Sequence, residues 1–488
     1  MNVDAISTVN AAMWDYGLVY FLLGASIWFT LRSRFIQFRL LPLATRLLLH
    51  SRATKQDQNQ GISTFQALCT SLASHVGTSN LAGVAIAISL GGPGAIFWMW
   101  VMALLGMATA FVENTMAQIY KTKNPDGSFR GGPAYYIEKA LGQRWLGIVF
   151  SLSLISAFGF SFNAVQANSV AAAMEDAFHV PQEAIAIILV VFSALIIYRG
   201  IQGIASFAEK FVPFMALAYI SIALTVTIME IDQLPAILNL IFRSAFGLDH
   251  AVAGGTGYLV SQAIAHGIRR GLFSNEAGMG SGPNLHAIAT PYPDHPVTQG
   301  LVSMFSVFFD TIIICSSTAA IILLSGVPYG QEGETGIVLT QSAVHATMGS
   351  LGKPFIALTT LLFGFTSIVA NTYYGESSLR FIHNRDQWVS IYRLLVLVMV
   401  FWGAVGSLPL VWALADVTMG FMTLVNLTAI LILSKQAFLL LEDFEHQYRS
   451  GKNPVFDRKN FPKLDSTMDK NVWHENKAEN ASQQKQFL

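Results

Sequence analysis

Two five-residue stretches of the 488-residue chain are near copies: "SNLAG" at residues 79–83 and "SNEAG" at 274–278, each set among glycines inside a long apolar run. Glycine weakens a helix, so each stretch marks a place where a helix opens and leaves backbone groups without helical partners. In "ASHVGTSNLAG" the carbonyls of Ala73 to Val76 can then coordinate a small cation, while the N–H groups near Thr78 and Ser79 face an anionic group such as a carboxylate. Packing of small residues between helices is the other reading of the same stretch. Further along, "FGFTSIVANTYYGE" holds adjacent hydroxyls at Thr366 and Ser367, with Asn371 one turn beyond Ser367 on the same helical face. Such hard oxygens suit hard cations, although a hydroxyl in an apolar helix also bonds back to its own backbone. "FGFSFNAVQANS" places Phe162 and Gln166 on one face, an apolar wall beside an amide that suits a small polar solute or, equally, a packed core. Asp310, Glu113 and Glu376 are carboxylates in or near apolar runs, which are costly there and therefore functional candidates. Glu113 and Glu376 lie near helix ends, where ion pairs with neighbouring Arg or Lys would act as gates. Asp310 lies deeper, as an ion ligand, a gate or a structural hydrogen-bond acceptor.

The elements that carry these residues must be membrane helices. Hydrophobic residues make up 53% of the chain and charged residues 12%, with a mean hydropathy of +0.49, whereas soluble domains are about 25% charged. The formal net charge is zero, which gives nucleic acid or an acidic partner nothing to recognise. Motifs of membrane enzymes (HExxH, GxSxG, a P-loop, CxxC) are missing, and the 11 histidines show no metal-ligand spacing, so the chain does not read as an enzyme. Cys69 and Cys315 lie in apolar runs and read as small hydrophobes. The N-terminus lacks the basic start and small-residue cleavage site of a signal peptide.

A bilayer crossing needs roughly 20 apolar residues. Eleven candidates follow, at about 16–31, 62–90, 95–119, 145–169, 183–202, 211–230, 252–282, 299–325, 354–376, 388–407 and 410–434. Lys and Arg concentrate after the first span (Arg32 to Lys55), the third (Lys121 to Arg144) and the ninth (Arg380, Arg385), while the intervening loops "GGPG", "MEDAFHVPQE" and "GVPYGQEGETG" hold none. That bias puts the N-terminus outside and the C-terminus in the cytoplasm. "SNLAG" lies in span two and "SNEAG" in span seven, so each opens a block of five spans that run in opposite senses. The expected architecture is all-α: two inverted five-helix repeats, spans 2–6 and 7–11, plus one added N-terminal helix. Residues 1–60 hold that helix and a cytoplasmic loop, 61–435 the transporter core (repeats about 61–230 and 252–435), and 436–488 a polar cytoplasmic tail with little fixed structure.

At these residues the chain resembles the alanine or glycine:cation symporter family of prokaryotes (sodium:alanine symporters), itself similar to the leucine-transporter-type fold. The matching segments are "GTSNLAGVAIAISLGGPGAIFWMW", "GGPAYYIEKALG", "FNAVQANS", "RRGLFSNEAGMGSGP", "HPVTQGL" with "FFDTIIICSSTA", and "FTSIVANTYYGE", in order through most of residues 61–435. The resemblance implies sodium-coupled uptake of a small neutral amino acid by alternating access across a prokaryotic inner membrane, with no cofactor beyond sodium as coupling ion. It implies that the carbonyls of Ala73, Val76 and Phe363 and the hydroxyls of Thr366 and Ser367 hold one sodium. Asn80 with Ser274 would fall at a second sodium position. The substrate carboxylate would rest on the backbone of Thr78, Ser79 and Asn80, with Phe162, Gln166, Phe273, Ser274 and Asn371 around the pocket. Two other functions compete: a proton-coupled amino-acid carrier, for which His75 and Glu276 are the residues, and an ion channel, which needs a continuous polar file.

Overall fold

Apolar helices follow one another through most of the chain, and the computed structural model describes residues 3–53, 62–125, 127–248, 256–330 and 334–473. Lys55 and the last residues of the tail therefore lie outside the described part. The main helices are α1 (Val19–Arg32), α2 (Thr64–His75), α3 (Ala82–Gly91), α4 (Gly94–Ile119), α5 (Arg144–Phe178), α6 (Gln182–Ile197), α7 (Gly200–Met229), α8 (Thr256–Asn275), α9 (Pro296–Leu324), α10 (Gly336–Met348), α11 (Gly352–Ile382), α12 (Asp386–Val405) and α13 (Leu408–Arg449). Seven of these, α4, α5, α7, α9, α11, α12 and α13, are long and apolar enough to cross a membrane, α11 running on from α10; the bent pair of α2 with residues 78–91 makes an eighth. Of the remaining expected crossings, α1 and α6 are shorter apolar helices, and α8 carries Arg269 and Arg270 in its second half. The membrane character shows on the outside as well, where Phe192 and Leu195 of α6, Phe214, Leu217 and Ile228 of α7, and Leu394 and Val398 of α12 are exposed. Large apolar groups facing outward on several helices are the mark of a lipid-facing surface.

Two local features set the ends of the critical helices. Ser63 caps α2 with a reciprocal box, its hydroxyl accepting from Gln66 N–H while Gln66 Oε1 accepts from Ser63 N–H, both at 3.1 Å. Such a box satisfies two N–H groups that the first turn leaves over. Just before it, Ile62–Ser63 pairs in parallel with Ala289–Thr290, the strand that follows the second break. The chain entering α2 and the chain leaving the second break are thus tied together. A second small sheet pairs Thr122–Lys123 with Phe129–Arg130.

Several elements go beyond the sequence reading. Short helices at Pro133–Leu141 and Leu234–Ala245, and α10, fall in segments read as loops. The last helix continues to Arg449 rather than ending near residue 434. Residues beyond it are also packed, contrary to the expectation of a tail with little fixed structure. Phe456 N–H donates to Asp294 O at 3.0 Å, Trp473 Nε1 donates to Gln118 O at 3.0 Å, and Lys121 Nζ lies 4.6 Å from the centre of the Trp473 ring. Aromatic groups in a polar sequence explain this, because Phe456 stacks on Phe461 and meets the Trp473 ring edge-on, which holds the segment down.

Candidate functional site

Both pentapeptides are breaks in helices, and they meet. α2 stops at His75; Val76 and Gly77 leave helical geometry, Thr78–Asn80 form one 3-10 turn, and α3 departs at 54° to α2. α8 stops at Asn275, after which Glu276, Gly278 and Gly280 take positive φ of 57°, 95° and 85°. Glycine adopts that region without strain, which explains two of the three glycines that follow Glu276. Asn80 from the first break donates to Asp310 Oδ1 at 2.6 Å, and Ser274 beside the second break donates to Asp310 Oδ2. Asp310 sits in a wide π-type turn, Phe308–Cys315, and is fully buried. Thr311 Oγ1 lies 3.0 Å from Ser274 Oγ, and Asn80 Oδ1 accepts from Ser79 at 2.7 Å. The deepest carboxylate flagged in the sequence therefore joins the two echoed segments.

The oxygen set on α11 also assembles. Ser367 Oγ lies 2.8 Å from Ala73 O and 3.2 Å from Ser74 O, across the helix interface, and 3.0 Å from Phe363 O of its own helix. Thr366 Oγ1 bonds Phe363 O at 2.9 Å. The Ser367 hydroxyl thus bridges two helices, while that of Thr366 turns back on its own. Val76 is buried at the C-cap of α2. The donors are carbonyl and hydroxyl oxygens, which fit a hard monovalent cation and not a soft metal. Gly77 is needed for this approach, because a methyl there would stand 2.5 Å from Ser367 Oγ and 2.8 Å from Gln166 Oε1.

On the other flank, Gln166 Oε1 accepts the N–H of Thr78 at 2.8 Å, so one of the open N–H groups at the break already holds an acceptor. Phe162, in the same helix, packs against Phe273 with ring centres 4.3 Å apart and planes tilted by 37°, and Phe273 against Trp412 at 5.1 Å and 39°. Asn371 is buried but faces a different group, accepting from Ser74 Oγ at 2.7 Å; that hydroxyl lies equally near Glu276 Oε1. Glu276 also accepts from Ser281, and His75 Nε2 is 3.4 Å from it.

Beyond the aromatic layer, Arg270 Nη2 donates to both oxygens of Asp416, and the Arg270 guanidinium stands 4.7 Å from the centre of the Trp412 ring. Trp14 Nε1 donates to Asp416 O at 3.1 Å, so the N-terminal helix braces this pair. A cavity of about 420 Å³ opens over it, bounded by Arg269, Arg270, Trp412 and Asn10. Sequence reasoning missed Trp412, Asp416, Ser74 and the brace from Trp14. Asp416 carried a signal, an acidic residue inside the eleventh apolar run, of the same kind that singled out Asp310.

The two expected gate carboxylates divide. Glu376 pairs with Arg393 at 2.7 Å and with Arg380 at 3.2 Å. Glu113 does not pair with a base among the described residues. It is buried in the middle of the bundle, where Gly278 N–H donates to it at 3.2 Å and Asn426 Nδ2 at 2.9 Å. The reading of Glu113 as a gate ion pair is corrected on this point: the helix ends where the sequence placed it, at Ile119, but the Glu113 carboxylate meets the second break and Asn426 instead of a base.

A family model described as "Sodium:alanine symporter family" matches residues 1–458. The probable sodium/glutamine symporter GlnT of Bacillus subtilis is 46% identical over 451 residues, covering 92% of each chain. The sodium/alanine symporter AgcS of Methanococcus maripaludis is 39% identical over 439 residues, covering 88% of this chain and 95% of its own. Among solved structures, a manganese transporter of Eremococcus coleocola superposes with a TM-score of 0.52 at 16% identity over 85% of this chain and 88% of its own, a likeness of fold alone.

Proposed function

Because the chain belongs to the sodium:alanine symporter family, a family of transporters and not of enzymes, we propose that it imports a small neutral amino acid together with sodium by alternating access. The observation that carries this reading is the convergence of two broken helices on buried oxygens with Asp310 between them. Non-helical backbone at such depth is tolerated where it lines a site. The sodium ligands are the oxygens of Ala73, Val76, Phe363, Thr366 and Ser367. The substrate carboxylate takes the Thr78 to Asn80 backbone, displacing Gln166 from the Thr78 N–H, and the amino acid's side chain lies against Phe162 and Phe273, with Ser274 and Asn371 flanking the pocket. The packed rings of Phe162, Phe273 and Trp412 and the Arg270–Asp416 pair stand across the outer path, an arrangement of a gated carrier rather than a continuous polar file. The chain crosses the inner membrane eleven times, as two inverted repeats of five spans (about 61–230 and 252–435) after the N-terminal helix and its loop (1–60). Its N-terminus is outside, and a C-terminal segment (436–488) lies in the cytoplasm.

The test is uptake of labelled alanine, glycine, serine and glutamine into proteoliposomes under an inward sodium gradient, with counterflow as the second readout. Uptake that follows the sodium gradient and exchanges against internal substrate is expected. Equal uptake in sodium and potassium sinks the coupling, and conductance without counterflow makes the protein a channel.

A further inference from the structure

Between α2, α4, α9 and the second break lies a void of about 10 Å³, lined by Glu113, Asn114, Glu276, His75, Ser303 and Ser306 among others. That is room for about one water or one dehydrated small cation. Neither Ser367 nor Asp310 lines it, although Ser74 links Glu276 to the Ser367 set and Asn275 donates to Thr311 beside Asp310. None of its lining groups has a role in the coupled transport described above.

The lining is rich in acceptors. Asn114 is 2% exposed; its Nδ2 is committed to Ala110 O at 2.8 Å, and its Oδ1 has no partner. That oxygen points toward Gly282, where an added methyl would stand 3.6 Å from it and intrude on the space. Ser306 spends its proton on Ser303 O at 2.6 Å and Ser303 spends its own on Gly300 O at 2.8 Å, so each hydroxyl has only lone pairs left to offer. Two carboxylates, Glu113 and Glu276, are 2% and 3% exposed, and the one basic group in contact with either among the described residues is His75, 3.4 Å from Glu276. His286 at the far wall is engaged through Nδ1 with the Gln299 amide at 2.6 Å. A buried carboxylate costs several kcal/mol unless a positive charge compensates it. A void of this size, lined by carboxyl, amide and hydroxyl oxygens, has the chemistry of a hard-cation site.

We infer that this void binds an additional sodium ion, held by Asn114 Oδ1, the Ser303 and Ser306 hydroxyls and the Glu113 and Glu276 carboxylates. The inference rests on the sodium-coupled reading and deepens it. Occupancy joins α4 and α9 to the second break, so the ion reports the state of that break to the bundle around it. Because Glu113 belongs to α4 and Glu276 to the second break, a break that moves away dismantles the site.

The test is direct binding of radioactive sodium to the purified full chain in detergent, without amino acid, alongside sodium-driven uptake in proteoliposomes. Asn114→Leu fills the void with an apolar group of similar size, and Asn114→Ala removes the oxygen while leaving the helix able to form. Thr366→Ala serves as the reference for the other site. The expected result is that both Asn114 variants bind one sodium fewer per protein than the parent, that Thr366→Ala also binds one fewer, and that the double variant Asn114→Ala with Thr366→Ala loses two. An unchanged sodium count in whichever Asn114 variant remains monodisperse overturns the site. If the count falls by one but the parent shows no sodium-driven uptake, the site stands and the symport reading fails. If the parent binds no sodium, both fall.

Discussion

Ser367→Ala is the substitution that best separates a strut from an ion ligand. The side chain is fully buried and its Oγ lies within 3.2 Å of three carbonyls, those of Ala73, Ser74 and Phe363. If the hydroxyl only braces α11 against α2, its loss costs one neutral hydrogen bond, about 0.5–1.5 kcal/mol of stability, and leaves the ion untouched. If it ligates sodium, the loss is that of a charge-assisted contact, about 1.5–3 kcal/mol, which raises the half-saturating sodium concentration roughly 10- to 100-fold. Serine to alanine changes the volume little, so expression and elution profile should stay near the parent's. The assay is initial-rate uptake at fixed amino acid over a sodium series, ionic strength held with potassium, with melting of the purified protein measured in parallel. A tenfold or larger rise with a melting shift of a few degrees is expected. A half-saturating concentration within twofold of the parent's, together with lowered melting, would refute the ligand role and leave the hydroxyl a strut.

Gly77→Ala forces a methyl to 2.5 Å from Ser367 Oγ and 2.8 Å from Gln166 Oε1; overpacking of this kind costs about 1–3 kcal/mol, and uptake should be lost while membrane insertion, read by surface labelling, persists. Asn371→Trp adds bulk next to Ser74 and Glu276, and competition assays should show glutamine excluded before glycine and alanine, because about 1–3 kcal/mol rides on each methylene a pocket rejects; an unchanged profile removes Asn371 from the site. His295, outside the crossings, accepts from Val297 N–H at 3.2 Å through Nδ1 and faces Asp443 through Nε2. Burial pushes its pKa below the ordinary imidazole value, the Asp443 contact offsetting this only in part. The unfolded chain therefore takes up the proton first, and stability contributed by the neutral ring declines as pH falls below about 6.5. His295→Asn should flatten that acid side of the melting curve, and an equally steep decline in the variant counts against the assignment.

What the sequence by itself determined is what local rules control. Apolar runs specify helices because a chain in lipid must satisfy its own backbone hydrogen bonds. The echo "SNLAG"/"SNEAG" located both breaks because glycine and positive φ act on the residue that carries them, as at Gly278 and Gly280. Asp310 and the Thr366–Ser367 hydroxyls stood out because polar groups are expensive in apolar surroundings, wherever the rest of the chain lies. Only the tertiary structure decided how these pieces combine. The contacts that make the site join residues far apart in sequence: Ser367 to Ala73 over 294 positions, Asn80 to Asp310 over 230, and Arg270 to Asp416 over 146. No periodicity encodes such pairings, since they depend on which helix faces pack. The same reason hid the corrected partners of Glu113. Its place along α4 was legible, but that its carboxylate meets Gly278 N–H and Asn426 rather than a base follows from where the second break comes to rest against that helix. The packed segment after Arg449 was equally hidden, because its polar composition describes solvation while three aromatic rings finding one another decides its fold.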